Sequence, residues 1–121
     1  MIDELEKQAE AFLAHHQPAD AEAVYQQLCK LEPDNAAHRI NLGKTQHRLG
    51  QLRNAVKNYQ EAIRLDPASV EARYNLANAL RESGDTATAI KAYQRLLQIN
   101  PMHFEGLNNI AMLLISLGDS K

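Results

Sequence analysis

The 121-residue chain has one cysteine, no tryptophan and few aromatic residues, 5% in all. The single Cys29 excludes an intramolecular disulfide and a cysteine-based zinc cluster. It lies between Leu28 and Leu31 in a helical pattern and reads as a small core residue; the lack of a disulfide framework points to a reducing compartment. A basic excess is also missing: 13 Lys and Arg stand against 15 Asp and Glu, for a net charge of −2. With the signs mixed along the chain there is no surface to neutralise a phosphate backbone, so nucleic acid is not an expected partner.

Hydrophobic residues at 45% and charged residues at 23% argue against both disorder and a membrane class. The start, "MIDELEKQAEAF", has neither the basic end nor the apolar run of a secretory signal, and the expected location is cytoplasmic unless a longer parent carries its own signal. Catalytic motifs are missing too. There is no Gly-rich phosphate loop, no Ser-centred elbow and no His pair at ligand spacing on one helix. His15 and His16 are adjacent and point apart, and His38 and His47 are nine residues apart, so all read as surface or turn residues. Carboxylates are scattered over polar faces. The expectation is a chain that is not an enzyme and uses no cofactor and no metal.

What the sequence does contain is a period. At a step of 34 residues Pro33, Pro67 and Pro101 coincide, as do Gly50, Gly84 and Gly118, Ala21, Ala55 and Ala89, and Tyr25, Tyr59 and Tyr93. Leu31, Leu65 and Ile99 keep the same step, as do Asn41, Asn75 and Asn109, and the small residues Ala9, Gly43, Ala77 and Ala111. Between the Gly and Pro breaks lie helical stretches of about a dozen residues. In the second unit the helices are predicted at 36–49 and 52–65. Gly50 is suited to close the first helix in the left-handed conformation, and Pro67 cannot continue the second. Gly43 and Ala77 leave room for two helices to cross closely, Ala55 and Ala89 do so from the other side, and Tyr59 and Tyr93 fill the gap beside the crossing. A single hairpin would leave an apolar face bare, and stacking buries it.

These features together resemble the tetratricopeptide repeat (TPR): "NLG" or "NLA" in the first helix, Gly at the turn, Ala and Tyr in the second helix and a closing "DP" or "NP". The resemblance implies an all-α superhelical solenoid occupying residues 1–121 as one domain. Its repeats fall at about 2–35, 36–69 and 70–103, with the lone first helix of a fourth at about 104–117. The first unit departs most. Gln8 replaces the Leu or Ile of later units, His16 replaces the turn glycine, and "HHQPAD" reads as a looser turn in which Pro18 starts the next helix. The large aromatic often found early in the family's first helix is replaced by Leu5, Arg39, Arg73 and Leu107. The final helix, "FEGLNNIAMLLISLG", is apolar all round from Ile110 to Ile115, unlike a polar solenoid cap. Either the chain is a fragment of a longer repeat protein, or Leu113, Leu114 and Leu117 are covered by a second copy in a homo-oligomer.

The resemblance further implies a right-handed superhelix whose first helices line a concave groove for a protein or extended peptide. On α-helical geometry Leu42, Gln46 and Leu49 share one stripe, and Asn41, Lys44 and Arg48 a polar one that should face the groove. The corresponding residues are Asn75, Asn78 and Glu82 in the third unit and Asn109, Met112 and Ser116 in the fourth. An amide carries donors and an acceptor, so Asn41, Asn75 and Asn109 could hold a peptide backbone. Such a column resembles the asparagine-lined groove of repeat domains in glycosyltransferases that modify Ser and Thr. The other reading of these amides is that they tie neighbouring repeats together through backbone hydrogen bonds. Lys44, His47, Arg48, Arg73 and Arg81 add positive charge against Glu71, Glu82 and Glu105.

Some members of the family grip a chaperone's C-terminal carboxylate with Lys, Asn and Arg. The equivalent places here hold Glu6, Glu10, Asn41, Glu71 and Asn75, or one repeat on Ile40, Lys44, Asn75, Glu105 and Asn109, so that clamp is not expected. The leading expectation is a non-enzymatic protein-binding scaffold or adaptor. The alternatives are the substrate-recruiting segment of a larger enzyme, for example a glycosyltransferase, and a self-assembly module using the last helix.

Overall fold

Each break in the sequence pattern up to Pro101 ends a helix through its backbone. In the computed structural model, which describes residues 1–119, seven α-helices and no strand are formed among the described residues. They are α1 (Ile2–Ala14), α2 (Pro18–Leu31), α3 (Ala36–Arg48), α4 (Leu52–Leu65), α5 (Val70–Glu82), α6 (Thr86–Ile99) and α7 (Phe104–Asp119). The predicted helix at 52–65 is matched at both ends, and that at 36–49 stops one residue early.

Gly50 and Gly84 take φ of 81° and 89°. That conformation lets Gln51 N–H donate to Gln46 O at 2.8 Å and Asp85 N–H donate to Leu80 O at 3.0 Å, satisfying carbonyls that a helix end would leave orphaned. The first turn is not looser, contrary to the sequence expectation. His16 adopts φ 60°, and Gln17 N–H closes the same ring on Phe12 O at 2.7 Å. The ring is a backbone device, and histidine is among the side chains that enter the left-handed region more often than most. Pro18 then starts α2 as expected. Gly118 departs from the period: α7 runs through it to Asp119, past the predicted end at 117.

At the other breaks Glu32, Asp66 and Asn100 leave the helical region at φ/ψ of −130/74°, −141/85° and −132/86°. Each precedes a proline, whose ring disfavours the helical conformation in the residue before it. The next helix is capped by a side chain at the same step of the period. Asn35 accepts from Ala37 and His38 N–H, Ser69 accepts from Ala72 N–H, and His103 Nδ1 accepts from Gly106 N–H at 2.9 Å.

Each second helix packs between two first helices: α2 against α1 and α3, α4 against α3 and α5, α6 against α5 and α7. Helix α3 also touches α5, so the first helices form one layer of the solenoid. Ala9, Ala21, Ala55, Ala77 and Ala89 are fully buried at the crossings. The Gly43 and Tyr59 pair shows how close the approach is. A Cβ on Gly43 would lie 2.6 Å from Tyr59 Cε1, a distance no side chain tolerates without displacing the ring. Cys29 belongs to the core around α1, α2 and α3, and burial pushes its thiol pKa up, which keeps it unreactive.

Candidate functional site

The two stripes of α3 separate as helical geometry requires. Leu42 and Gln46 are each 4% exposed and face the second helices, whereas Asn41 is half-buried and Lys44 and Arg48 are exposed. A cleft of about 200 Å³ opens between α1 and α3, lined by Leu13, Tyr25, Asn41, Lys44, Thr45 and Arg48. Three of the nine expected groove residues therefore meet in one recess. A wider and more open recess of about 900 Å³ lies along the turn after α3 and the end of α5, and of the expected residues only Glu82 reaches it.

Neighbouring first helices are tied by polar pairs between repeats. Arg48 Nη2 donates to His16 Nδ1 at 3.2 Å, Lys44 Nζ approaches Glu71 Oε2 at 3.5 Å, and His47 Nε2 donates to Glu82 Oε2 at 2.7 Å. Of the charge expected along the groove, that of Lys44 thus meets Glu71 within the protein, whereas the partner of Arg48 is no anion. Arg73 turns away from this set, its Nε donating to Pro67 O at 2.9 Å.

In the later repeats Asn75 is half-buried on α5, and Asn78 accepts from the Tyr93 hydroxyl and from Asn109 Nδ2 at 3.2 Å. Asn109 also donates to the Tyr74 hydroxyl at 3.3 Å, and the Tyr74 ring meets His103 with centroids 4.8 Å apart. The amide of Asn109 is therefore an inter-repeat tie made by side chains. Met112 is exposed. Of the residues expected to be bare on α7, Leu114 and Leu117 are exposed, whereas Leu113 packs partly with Ile110 against the α5–α6 core. Phe104, Leu107 and Ile115 enlarge the apolar surface instead.

The sequence reading missed two polar networks. Gln46 Nε2 donates to Glu22 Oε2 at 3.1 Å, and its carbonyl oxygen accepts from Asn58 Nδ2 at 2.6 Å, which joins α2, α3 and α4 beneath the stripe. The second involves His38, which the sequence assigns to the surface. It is only 3% exposed, and its Nε2 lies 2.6 Å from Glu32 Oε1. Glu32 belongs to the turn before α3, so no helical spacing on α3 itself signals the pair.

The family model described as "Tetratricopeptide repeat" matches residues 6–52 and 47–104. A tetratricopeptide repeat protein from Parabacteroides merdae is 30% identical with a TM-score of 0.91; the match covers 97% of this chain and 47% of that one, so the chain spans about half of its length. The first TPR of Spaghetti (RPAP3), solved bound to the HSP90 peptide SRMEEVD, is 20% identical with a TM-score of 0.87, over 97% of this chain and 95% of that one. The Yersinia enterocolitica type III secretion translocator chaperone SycD is 17% identical with a TM-score of 0.90, over 97% and 86%. No curated protein sequence matches the chain. No helix among the described residues is long and apolar enough to cross a membrane.

Proposed function

The chain belongs to the tetratricopeptide-repeat family, and from that premise we propose that it is a non-enzymatic scaffold taking an extended peptide of a partner protein along its first-helix face. The recess between α1 and α3 carries this reading. It places the Asn41 amide beside the Lys44 and Arg48 cations, with Leu13 and Tyr25 as apolar wall, on helices held by buried packing. One helix further, Asn75 repeats the amide. The NH₂ of Asn109 is already donating to Tyr74 and Asn78, so Asn41 and Asn75 supply most of the backbone recognition. Contacts to backbone amides favour broad sequence tolerance.

An acidic carboxylate tail is not the expected ligand. In one frame Glu6, Glu10 and Glu71, and in the next Glu105, occupy places of the family's Lys, Asn and Arg clamp, and carboxylates there would repel it. Peptide-library binding followed by fluorescence polarisation is expected to find ligands whose affinity falls roughly tenfold in the Asn41→Ala, Asn75→Ala, Asn109→Ala variant, from loss of hydrogen bonds worth about 0.5–1.5 kcal/mol each. The Asn41→Ala, Asn75→Ala pair, which spares the tie to α5, is expected to retain most of that drop. Equal binding by wild type and both variants would sink the proposal.

A second reading is favoured by α7, where Phe104 is 71% exposed, Met112 62%, Ile115 62% and Leu114 52%. Exposed apolar side chains gathered on one helix are a mark of an interaction surface. We assign it to contact with a second copy of the chain. Light scattering of the full chain is expected to show a concentration-dependent dimer that Leu114→Glu, Ile115→Glu abolishes with helicity retained. A monomer at the highest attainable concentration would exclude it.

A further inference from the structure

The buried imidazole of His38 has more acidic company than its packing requires. Its Nε2 lies 2.6 Å from Oε1 of Glu32, and that oxygen also accepts from Asn35 Nδ2 at 3.4 Å. Glu6 reaches the same point from α1, so that one donor atom from each of Glu6, Glu32 and His38 lies within 4.8 Å of the others. A histidine held in place by one carboxylate would account for Glu32 alone. Glu6 adds a second like charge, which disfavours the arrangement unless a cation compensates it.

We propose that Glu6, Glu32 and His38 form a binding site for a divalent ion of the zinc class, with water completing the shell. One imidazole nitrogen with two carboxylate oxygens suits zinc and its borderline neighbours, whereas calcium and magnesium prefer oxygen throughout. Ligand bonds of about 2.0–2.2 Å around a tetrahedral ion set donors roughly 3.4 Å apart. The three donor atoms can reach that spacing by shifts of about an ångström. Glu6 and Glu32 are only half-buried and can adjust, while His38, 97% buried by its 3% exposure, is the fixed ligand.

The site joins three segments: α1 of the first repeat, the turn after α2, and α3 of the second repeat. A bound ion would staple the first repeat to the second, as Lys44–Glu71 and His47–Glu82 link α3 to α5. Binding to the folded state alone raises apparent stability, so metal and fold are coupled. The site is independent of the peptide proposal.

The test uses the full chain, freed of metal by a chelator and titrated with zinc sulfate and, separately, with cobalt(II) chloride. Wild type is expected to bind one equivalent of zinc by calorimetry, to melt at a higher temperature in its presence, and to give visible cobalt absorption. Glu6→Gln removes one ligand and one like charge from a half-buried position; it is expected to melt no lower than wild type without metal and to lose both the zinc-induced rise and the cobalt bands. His47→Gln, at a histidine paired with Glu82 elsewhere, is expected to keep them. Zinc stabilisation that survives in Glu6→Gln, or a wild-type melting temperature unmoved by millimolar zinc, would overturn the assignment.

Discussion

Tyr59→Ala is expected to lower the unfolding free energy by about 3–5 kcal/mol, the range for deleting a large buried aromatic side chain. Domains of this size are typically stable by about 5–15 kcal/mol, so a large part of the margin would go. Tyr59 is fully buried in a cluster with Ala55 and Ala79 and edged by Leu52, Val56 and Leu76. These residues come from α4 and α5, and the ring also lies against Gly43 of α3, so one side chain holds three helices together. The same helices carry Asn41 and Asn75. Loss of stability should therefore be accompanied by loss of peptide binding.

Removing only the hydroxyl separates packing from hydrogen bonding. The Tyr59 hydroxyl has no partner among the described residues, whereas that of Tyr93 donates to Asn78. An unmade buried hydrogen bond is costly, and a satisfied one contributes about 0.5–1.5 kcal/mol. Urea unfolding should thus find Tyr59→Phe as stable as wild type or more so, and Tyr93→Phe less stable by about 1 kcal/mol. The reverse order would show that the two equivalent tyrosines have been assigned the wrong roles.

The residues legible in sequence were those whose effect is local to the backbone or repeated at a fixed step. Gly50 and Gly84 close helices because their own φ allows it, and Pro33, Pro67 and Pro101 each push one preceding residue out of the helix. The Gly43 and Tyr59 pairing was legible because its counterparts recur one repeat earlier and later. Gly118 shows the limit of this reasoning, since glycine permits a left-handed turn without imposing one, and α7 continues through it. The first turn shows the converse: the ring closes at His16 without glycine.

Of the candidate site, the polar stripe was legible, and what its members touch was not. Asn109 looks like Asn41 and Asn75 by position, but its partners Tyr74 and Asn78 lie 35 and 31 residues away on α5. Buried His38 was missed for the same reason. Its environment is made by Glu6 and Glu32 on other segments, and the pattern of α3 alone cannot report them.

Alkaline pH is expected to unfold the chain steeply. Tyr25, Tyr59 and Tyr93 are 4%, 0% and 0% exposed, and all three hydroxyl pKa values are raised, by burial first. Nearby Glu10 and Glu6 add to the shift at Tyr25, and Glu71 and Glu82 add to it at Tyr59. A phenol in the unfolded chain ionises near pH 10. Below that pH both states keep the proton and the contribution to stability is fully present. Above it the unfolded state has released protons that the native state still holds, so stability falls as pH rises toward the native pKa values. Each such tyrosine adds to the decline until the pH reaches its own native pKa, and Tyr59, the most strongly shifted of the three, does so over the widest range. Cys29, whose thiol pKa is also raised by burial, starts the decline somewhat earlier. Helicity by circular dichroism and phenolate absorbance should therefore change together, with Tyr25, Tyr59 and Tyr93 ionising only as the helices are lost, and Tyr59→Phe should make the decline shallower. Ionisation of these three tyrosines near pH 10 with helicity intact would contradict the buried ring positions on which the repeat stack depends.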